Sequence, residues 1–424
     1  KITIIHCIFV YIVKKEEDIM KKFNKFLSVA VASAMVMAMA GCGNTDNGSA
    51  ATGTNAATES AAASDSAASG SVFKIGGIGP TTGGAAVYGL AVQHGAEIAV
   101  EEINAAGGIN GYQVEFKFQD DEADAEKSVN AYNALKDWGA QIIDGSTTSG
   151  ACIAVTDKTK EDNMFQITPS GSAVECVQYD NNFRVCFSNP NQGLASAQYI
   201  GENGLAEKIA VIYDSSDVYS SGIYEKFAKE AENQPFEIVA AEAFTADNKT
   251  DFSVQLQKAK DAGADMVFLP IYYQESALIL TQAAAMGYAP KWFSCDGMDG
   301  ILGGVDNFDV SLTEGVMLLT PFAADATDDL TQSFVTKYKE KYGDTPNQFA
   351  ADSYDAIYVI KAAIEKSGVT PDMSVSDICD GMKAAMTEIT VDGLTGNGMT
   401  WTADGEANKA PKAVVIENGA YKAM

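Results

Sequence analysis

The stretch that decides the fold is KIGGIGPTTGGAAVYG, residues 74–89. An apolar, β-type run opens into glycines and then into a helix-like pattern, which predicts a strand, a tight turn and a helix. Gly77, Gly79 and Gly83 have G-x-G-x-x-x-G spacing, close to that of a turn that holds a dinucleotide phosphate. The stretch therefore leaves two alternatives, a nucleotide turn or a strand–turn–helix unit that binds another ligand.

Two features argue against the nucleotide turn. Pro80 follows the second glycine and removes a backbone N–H where a phosphate turn needs a donor. The dinucleotide fingerprint also requires an acid about 20 residues further on, and Asp120 and Asp121 lie roughly twice that far away. We therefore expect the loop to line a site for another kind of ligand.

The same alternation of strand and helix continues along the chain. Residues 86–105 and 249–262 carry apolar side chains at helical spacing, and Gly107-Gly108 ends the first helix. Further strand-like runs are residues 112–120, 140–146, 164–170, 208–214, 237–244, 265–273 and 291–297. The first series ends near 183–193 and a second begins at 208, while the C-terminal tail is β-type. This order predicts two α/β lobes with mainly parallel sheets.

Composition limits the possible functions. The chain has 424 residues, 46% of them hydrophobic, which is enough for two domains with buried cores. Its formal net charge of −28 disfavours nucleic-acid binding. The seven cysteines form no C-x-x-C motif, so neither a metal site nor a cofactor is expected. Cys176 and Cys186 either pair as a disulfide in an exported protein or stay separate buried thiols.

The first 71 residues are expected to lie outside the folded body. Residues 1–19 precede a plausible start at Met20, and 20–41 have the basic and apolar regions of a secretory signal peptide. The signal ends in Met39-Ala40-Gly41-Cys42, which resembles a bacterial lipobox in which Cys42 is lipidated. The alternative is an ordinary signal peptide with an incidental cysteine. Residues 42–71 are small and polar, which predicts a flexible tether to the outer face of a membrane.

Ligands of open α/β sheets bind beyond the carboxyl ends of the strands, so the loops at those ends carry the candidate site. In the first lobe, Thr147, Thr148, Ser149 and Gly150 place hydroxyl and N–H groups at a helix N-terminus, which suits a carboxylate. The alternative is simple helix capping. A second loop of the same kind offers Ser170, Gly171 and Ser172.

In the second lobe, Tyr219, Tyr272 and Tyr273 follow strands, and Asp296 lies in a glycine-rich turn. Singly, such tyrosines are usually packing residues and such an aspartate is usually a turn residue. Together the two lobes offer donors, aromatic walls and one acid, which is what an α-amino acid requires.

No catalytic pattern competes with this interpretation. The sequence has no G-x-S-x-G elbow, no phosphate-binding P-loop and no H-E-x-x-H motif. Its two histidines are His6, outside the body, and His94, in the middle of a predicted helix, where a packing role is expected. We therefore expect a binding protein rather than an enzyme.

The chain resembles the leucine/isoleucine/valine-binding family, the substrate-binding proteins of branched-chain amino acid ABC transporters. The resemblance rests on KIGGIGPTTGGAAVYG, AVEEINAAGGINGYQVEF, DGSTTSGACIAV, ITPSGSA, VIYDSSDVYSSG, FLPIYYQE and GNGMTWTADGE, in this order over about 72–424. It implies a type I periplasmic-binding-protein fold, in which three hinge crossings join two lobes that close on the ligand. The implied lobes are 72–188 plus 322–393 and 189–321 plus 394–424, with hinges near Ser188, Thr320 and Leu394.

The resemblance also implies roles for individual residues. Tyr88 matches a tyrosine that lines the pocket, and Ser149 matches the serine whose loop holds the ligand carboxylate. Gly171 and Ser172, the latter in place of a usual threonine, are expected to bind the α-carboxylate or α-amine. Tyr219 and either Tyr272 or Tyr273 match contacts in the second lobe, and Asp296 stands where a relative has an ammonium-binding glutamate.

The expected function is capture of an amino acid, branched-chain or aliphatic, and its delivery to an ABC transporter permease. The protein is expected to be a monomeric lipoprotein on the extracytoplasmic face of a Gram-positive cell membrane. One alternative is a sensory or amide/urea-binding receptor of the same fold, and a remote one is a nucleotide-dependent α/β enzyme. Asp296 distinguishes amino-acid capture from amide or urea binding, because a neutral amide has no ammonium group to pair with its carboxylate.

Overall fold

The computed structural model describes residues 70–424. The stretch quoted above forms strand β1 (Phe73–Gly79), a turn and helix α1 (Ala86–Ala105), as its sequence predicts. The predicted signal peptide, Cys42 and the tether up to residue 69 lie outside the described residues. Within 70–424, no helix has both the length and the apolar character that a bilayer crossing requires.

Helices and strands alternate along most of this range. The other helices are α2 Ala125–Trp138, α3 Ser149–Asp162, α4 Asn189–Glu202, α5 Val218–Ala231, α6 Ser253–Asp261, α7 Tyr273–Ala285, α8 Asp329–Tyr342, α9 Gln348–Ser367 and α10 Val375–Met386. The other strands are β2 Val114–Asp120, β3 Ile142–Asp144, β4 Phe165–Thr168, β5 Asn182–Arg184, β6 Lys208–Asp214, β7 Glu237–Phe244, β8 Met266–Leu269, β9 Lys291–Ser294, β10 Met317–Thr320, β11 Lys412–Glu417 and β12 Ala420–Ala423.

The strands form two sheets, one in each lobe. The first is five-stranded and parallel, in the order β2-β1-β3-β4-β5. The second is seven-stranded, in the order β12-β11-β10-β9-β8-β6-β7, and only its C-terminal pairs β10–β11 and β11–β12 are antiparallel. The predicted α/β class with two parallel-rich lobes is thereby confirmed.

The chain passes three times between the lobes: after β5, after β10 and before β11. Between the second and third passages, α8, α9 and α10 pack on the first lobe. Thr395 donates its backbone N–H to Asp355 of α9 (2.9 Å), and the Trp401 indole donates to the Arg184 carbonyl of β5 (2.8 Å). This segment therefore contacts the first lobe before it enters β11, and the residue limits of the lobes stay predictions.

Asp120, which lies too far along the sequence to match the dinucleotide fingerprint, instead holds the loop after β1. Asp120, at the end of β2, accepts the Thr81 N–H (2.8 Å) and the Thr82 hydroxyl (2.6 Å). A Cβ at Gly79 would lie 2.1 Å from the Thr147 Oγ1, so glycine is needed there for the close approach of two loops. The glycines thus serve loop packing at the carboxyl end of the sheet.

The strand-like run 265–273 is shorter in the structure than its composition predicts. Strand β8 ends at Leu269, and Tyr273 is already the first residue of α7. Pro270 lacks the N–H that would continue the strand ladder, which accounts for the early end. The C-terminal tail is β-type as predicted, and Asn418 and Gly419, both at positive φ, form the two-residue turn between β11 and β12.

Helices α1 and α9 pack closely in the core of the first lobe. A Cβ at Gly95 of α1 would lie 2.0 Å from the carbonyl oxygen of Ala350 in α9. Alanine favours the helix by about 1 kcal/mol over glycine, but relieving this overlap requires the two helices to move apart. Close packing, rather than helix propensity, therefore accounts for the glycine at position 95.

We predict that Gly95→Ala lowers the free energy of unfolding by about 1–3 kcal/mol, measured by urea denaturation. Gly84→Ala is the matched control, because a Cβ there would meet no atom of the described residues within 4 Å. The control is expected to change the unfolding free energy by about 0.5 kcal/mol or less. Equal stability of the two variants would contradict the close packing of α1 on α9.

Candidate functional site

A small cavity lies between the two lobes, where the loops at the carboxyl ends of the strands meet; it measures about 240 Å³ counting the part open to solvent, and the centres of water-sized molecules can occupy about 10 Å³ of it. From the first lobe it is lined by Tyr88, Thr147, Thr148, Ser149, Ser170 and Phe349. From the second lobe it is lined by Tyr219, Tyr272, Asp296 and Gly297. We call it the central cavity.

The first lobe presents hydroxyl and N–H groups to this cavity. Thr148 is the N-cap of α3, and its buried Oγ1 has no hydrogen-bond partner among the described residues. Ser149 accepts the N–H groups of Ser172 (3.2 Å) and Ala173 (3.1 Å) at its Oγ, which leaves its hydroxyl proton to donate elsewhere. A buried free hydroxyl beside the N–H groups of a helix N-terminus suits a carboxylate.

The second lobe presents a buried carboxylate. Asp296 is 4% exposed; its Oδ1 accepts the Tyr219 hydroxyl (2.6 Å) and its Oδ2 accepts the Gln192 amide (2.9 Å). Burial raises the pKa of Asp296 to about 7, an effect that outweighs the lowering by these hydrogen bonds and is increased by the nearby Asp352. A cation in the central cavity would favour the ionised form of Asp296.

Aromatic rings line the space between these two polar ends. The ring of Tyr272 stacks on Tyr219 with centroids 4.9 Å apart, and the ring of Tyr88 lies against Phe349 at 4.6 Å. Tyr88 also meets Tyr272 edge-on at 5.5 Å, so the rings of the two lobes contact each other. Such walls accept an apolar ligand group.

Hydrogen bonds across the cleft hold the lobes together. Tyr88, from the first lobe, donates its hydroxyl to the Gly297 carbonyl and accepts the Tyr273 N–H at 3.2 Å, both from the second lobe. Gln348 at the start of α9 donates its amide to the Asp296 carbonyl at 3.1 Å. The lobes are therefore joined by hydrogen bonds next to the central cavity.

Six of the ten predicted ligand-binding residues line the central cavity: Tyr88, Thr148, Ser149, Tyr219, Tyr272 and Asp296. The other four lie behind or beside it. Gly171 donates its N–H to Thr168, and Ser172 packs behind Ser149 with a buried Oγ that has no partner among the described residues. Gly150 is exposed on α3, and Tyr273 contacts Tyr88.

Four lining residues were not among the predicted ligand contacts. Thr147 and Ser170 belong to the two hydroxyl-rich loops that the sequence already indicates, and Gly297 follows Asp296. Phe349 comes from α9, which reaches the cleft only after the second passage between lobes, so no local pattern indicated it. Gln192 of α4, which fixes Asp296, was also missed, because no local pattern links this helix to a turn 104 residues further along the chain.

The histidine and cysteine candidates do not line the central cavity. His94 stacks on Tyr342 of α8 with centroids 3.6 Å apart, a packing contact. Cys176 and Cys186 are both buried free thiols in the structure.

A family model described as periplasmic binding protein matches residues 72–420. The chain belongs to this family. A leucine-, isoleucine-, valine-, threonine- and alanine-binding protein of Pseudomonas aeruginosa is 30% identical over 302 residues, which cover 70% of this chain and 78% of that protein.

Two solved structures extend the comparison. The branched-chain amino acid transporter substrate-binding protein LivJ of Streptococcus pneumoniae, in complex with isoleucine, is 28% identical with a TM-score of 0.75. The leucine-binding protein LivK of Thermotoga maritima is 27% identical with a TM-score of 0.73. Each match covers 83% of this chain and 98% of the other.

These relatives confirm the family resemblance and the type I periplasmic-binding-protein fold. LivJ is a substrate-binding protein of a branched-chain amino acid transporter, and the other two relatives bind amino acids by name. The periplasmic binding protein family consists of extracytoplasmic solute-binding proteins rather than enzymes. The nucleotide-enzyme alternative has no support from the family.

The raised pKa of Asp296 predicts pH-dependent affinity for a ligand that carries an ammonium group. Protonated Asp296 gives no ion pair, so affinity is expected to be full above the pKa of about 7 and to fall as the pH drops below it. We predict about tenfold weaker binding of isoleucine at pH 6 than at pH 8, measured by calorimetry.

Asp296→Asn is the matched control for this measurement. It keeps the shape and an acceptor for Tyr219 but has no titrating charge, so its weaker affinity should stay constant from pH 6 to pH 8. An equal pH dependence in both proteins would assign the titration to another group.

Proposed function

We propose that this protein captures a branched-chain or aliphatic amino acid between its lobes and delivers it to an ABC transporter permease. One observation carries the proposal. The cavity has hydroxyl groups that suit a carboxylate on one lobe and the buried Asp296 carboxylate, which favours a cation, on the other, with aromatic rings between them. An α-amino acid has the two opposite charges and the apolar side chain that this arrangement requires. The ligands of LivJ and the Pseudomonas protein support the choice of side chain.

Each end of the ligand is assigned to one lobe. The α-carboxylate would meet Thr148 and Ser149 at the start of α3, with Gly150 contributing a backbone N–H. The α-ammonium would meet Asp296, which Tyr219 orients, and Tyr88 and Tyr272 would contact the side chain.

The remaining predicted contacts take supporting roles in this proposal. Ser172 holds Ser149 from behind, because its N–H bonds the Ser149 Oγ, and Gly171 donates its N–H to Thr168 and so fixes the same loop. Tyr273 fixes the Tyr88 hydroxyl.

Ligand capture would close the lobes, and the permease would recognise the closed form, with no bond made or broken. The proposal includes a monomeric protein on the extracytoplasmic face of the cell membrane of a Gram-positive bacterium. Lipidated Cys42 and a tether that ends near residue 71 would attach it there. It also keeps the predicted lobe limits, 72–188 plus 322–393 and 189–321 plus 394–424.

We predict that Asp296→Ala and Ser149→Ala each weaken isoleucine binding by at least about tenfold, or about 1.4 kcal/mol, in isothermal titration calorimetry. Asp296→Ala removes the partner of the ammonium, and Ser149→Ala removes a donor to the carboxylate. Asp306→Ala, which removes an exposed carboxylate, is the matched control and should bind like the wild type. Unchanged affinity in both cavity variants would overturn the assignment of the site.

The identity of the ligand has a direct test. We expect denaturation of the purified protein, followed by mass spectrometry of the released small molecules, to yield a branched-chain amino acid. Denatured Asp296→Ala protein should release much less of it. Recovery of a neutral amide or urea would favour the receptor alternative, and recovery of a nucleotide would overturn the proposal.

A further inference from the structure

A second and larger cavity lies beside the central cavity, next to the second passage of the chain between the lobes. It encloses about 1320 Å³ counting the part open to solvent, and water-sized molecules can occupy about 500 Å³ of it. Val87 and Asn347 of the first lobe line it together with Gly300 and Tyr421 of the second. We call it the hinge cavity. None of its lining residues belongs to the central cavity.

A buried carboxylate forms part of the hinge-cavity lining. Asp299 is 4% exposed, and its Oδ2 accepts the backbone N–H of Gln348 at 3.0 Å. Its Oδ1 is also buried and accepts no hydrogen bond of ordinary geometry from the described residues, although the Tyr421 hydroxyl lies close enough to lower its pKa. Burial, the larger effect, raises the pKa of Asp299 to about 6, so the group is ionised at pH 7.5. A buried anionic oxygen in this state favours a cationic donor.

The walls are apolar, and the charged side chains at the mouth are mostly acidic. Leu318, Phe322 and Pro346 are buried against the cavity, and they offer contact to an apolar body. Asp325, Lys339 and Asp344 are exposed at its edge, so with Asp299 the lining carries three carboxylates against one ammonium. This balance disfavours an anionic ligand.

We propose that the hinge cavity binds a small organic cation, a primary ammonium ion with an apolar body, whose ammonium group bonds Asp299 Oδ1. The apolar body would lie against Leu318 and Phe322. A bare metal ion fits less well, because within residues 70–424 no three His, Cys, Asp or Glu side chains are grouped to hold one.

The same three chain segments separate the two cavities. Tyr88, Gly297 and Phe349 line the central cavity, while their close neighbours Val87, Asp299 and Asn347 line the hinge cavity. An amine that contacts both lobes in the hinge cavity favours the conformation in which they meet. If the proposed function holds, the amine and the amino acid therefore strengthen each other's binding.

The binding site is tested by titrating benzylamine into the full-length protein at pH 7.5 in calorimetry. We expect a dissociation constant of about 1 mM for the wild type and for Asp296→Asn, and at least about tenfold weaker binding for Asp299→Asn. Asn at position 299 keeps an acceptor for the Gln348 N–H, so it removes the charge with little change of shape. Asp325→Asn at the exposed edge is the matched control and should bind benzylamine like the wild type. Benzyl alcohol, which lacks the ammonium group, should bind to none of these proteins.

Each other outcome overturns the proposal. Loss of benzylamine binding in Asp296→Asn but not in Asp299→Asn would place the amine in the central cavity. The hypothesis of an amine site in the hinge cavity would also be rejected by three other results. These are equal benzylamine binding by all variants, loss of binding in both Asp296→Asn and Asp299→Asn, and no binding by the wild type.

The coupling between the cavities is measured separately. Saturating benzylamine should lower the dissociation constant of isoleucine severalfold in the wild type and leave it unchanged in Asp299→Asn. An unchanged or raised constant in the wild type would exclude positive coupling. Failure of isoleucine to bind at all would instead contradict the proposed function, and the benzylamine titration would still stand or fall by itself.

Discussion

The structure of the cleft depends on one buried charge, the carboxylate of Asp296. Its two oxygens accept hydrogen bonds from Tyr219 and Gln192, both neutral donors, and neither bond restores the solvation that an ionised carboxylate loses on burial. This loss of solvation is the reason that the pKa of Asp296 is raised. A positively charged ligand group therefore gains more at Asp296 than at an exposed acid, where water screens the interaction.

The opposite end of the cleft uses backbone rather than charge. Helix α3 begins in the cavity wall with a buried free hydroxyl at Thr148, and the loop after β4 fixes Ser149 from behind. Gly79 makes this arrangement possible, because any side chain there would collide with Thr147. Since the hydroxyl and N–H groups that suit a carboxylate stand on one lobe and Asp296 stands on the other, a zwitterion gains both interactions only when the lobes are together. In the proposed function, ligand binding and closure of the lobes are therefore the same event.

The local parts of this site could be predicted from the sequence. The limits of β1 and α1 follow from glycines and helical periodicity within 33 residues. Thr148, Ser149, Tyr219, Tyr272 and Asp296 were found because each lies at or just beyond the carboxyl end of a predicted strand. The misjudged strand at 265–273 shows the limit of composition, because β-type residues continue past the proline that ends the ladder.

The long-range parts could not be predicted. Phe349 and Gln348 stand at the start of α9, more than 50 residues after Asp296, and no spacing rule links a helix start to a distant turn. Similarly, the sequence could not show that Ser172 supports Ser149 rather than faces the cavity, because that depends on how two loops stack.

Helix α9 shows what the residues that could not be predicted do in the structure. Its first residue, Gln348, donates its side-chain amide to the Asp296 carbonyl and its backbone N–H to Asp299, so one residue of the first lobe holds two acids of the second in place. The positive end of the helix dipole adds a favourable field at the Asp299 carboxylate, which accepts the Gln348 N–H. Because this residue stands between the central and hinge cavities, any movement of the lobes that breaks its two bonds exposes both acids to water at once. The cost of separating the lobes and the environments of Asp296 and Asp299 are therefore linked through a single helix terminus.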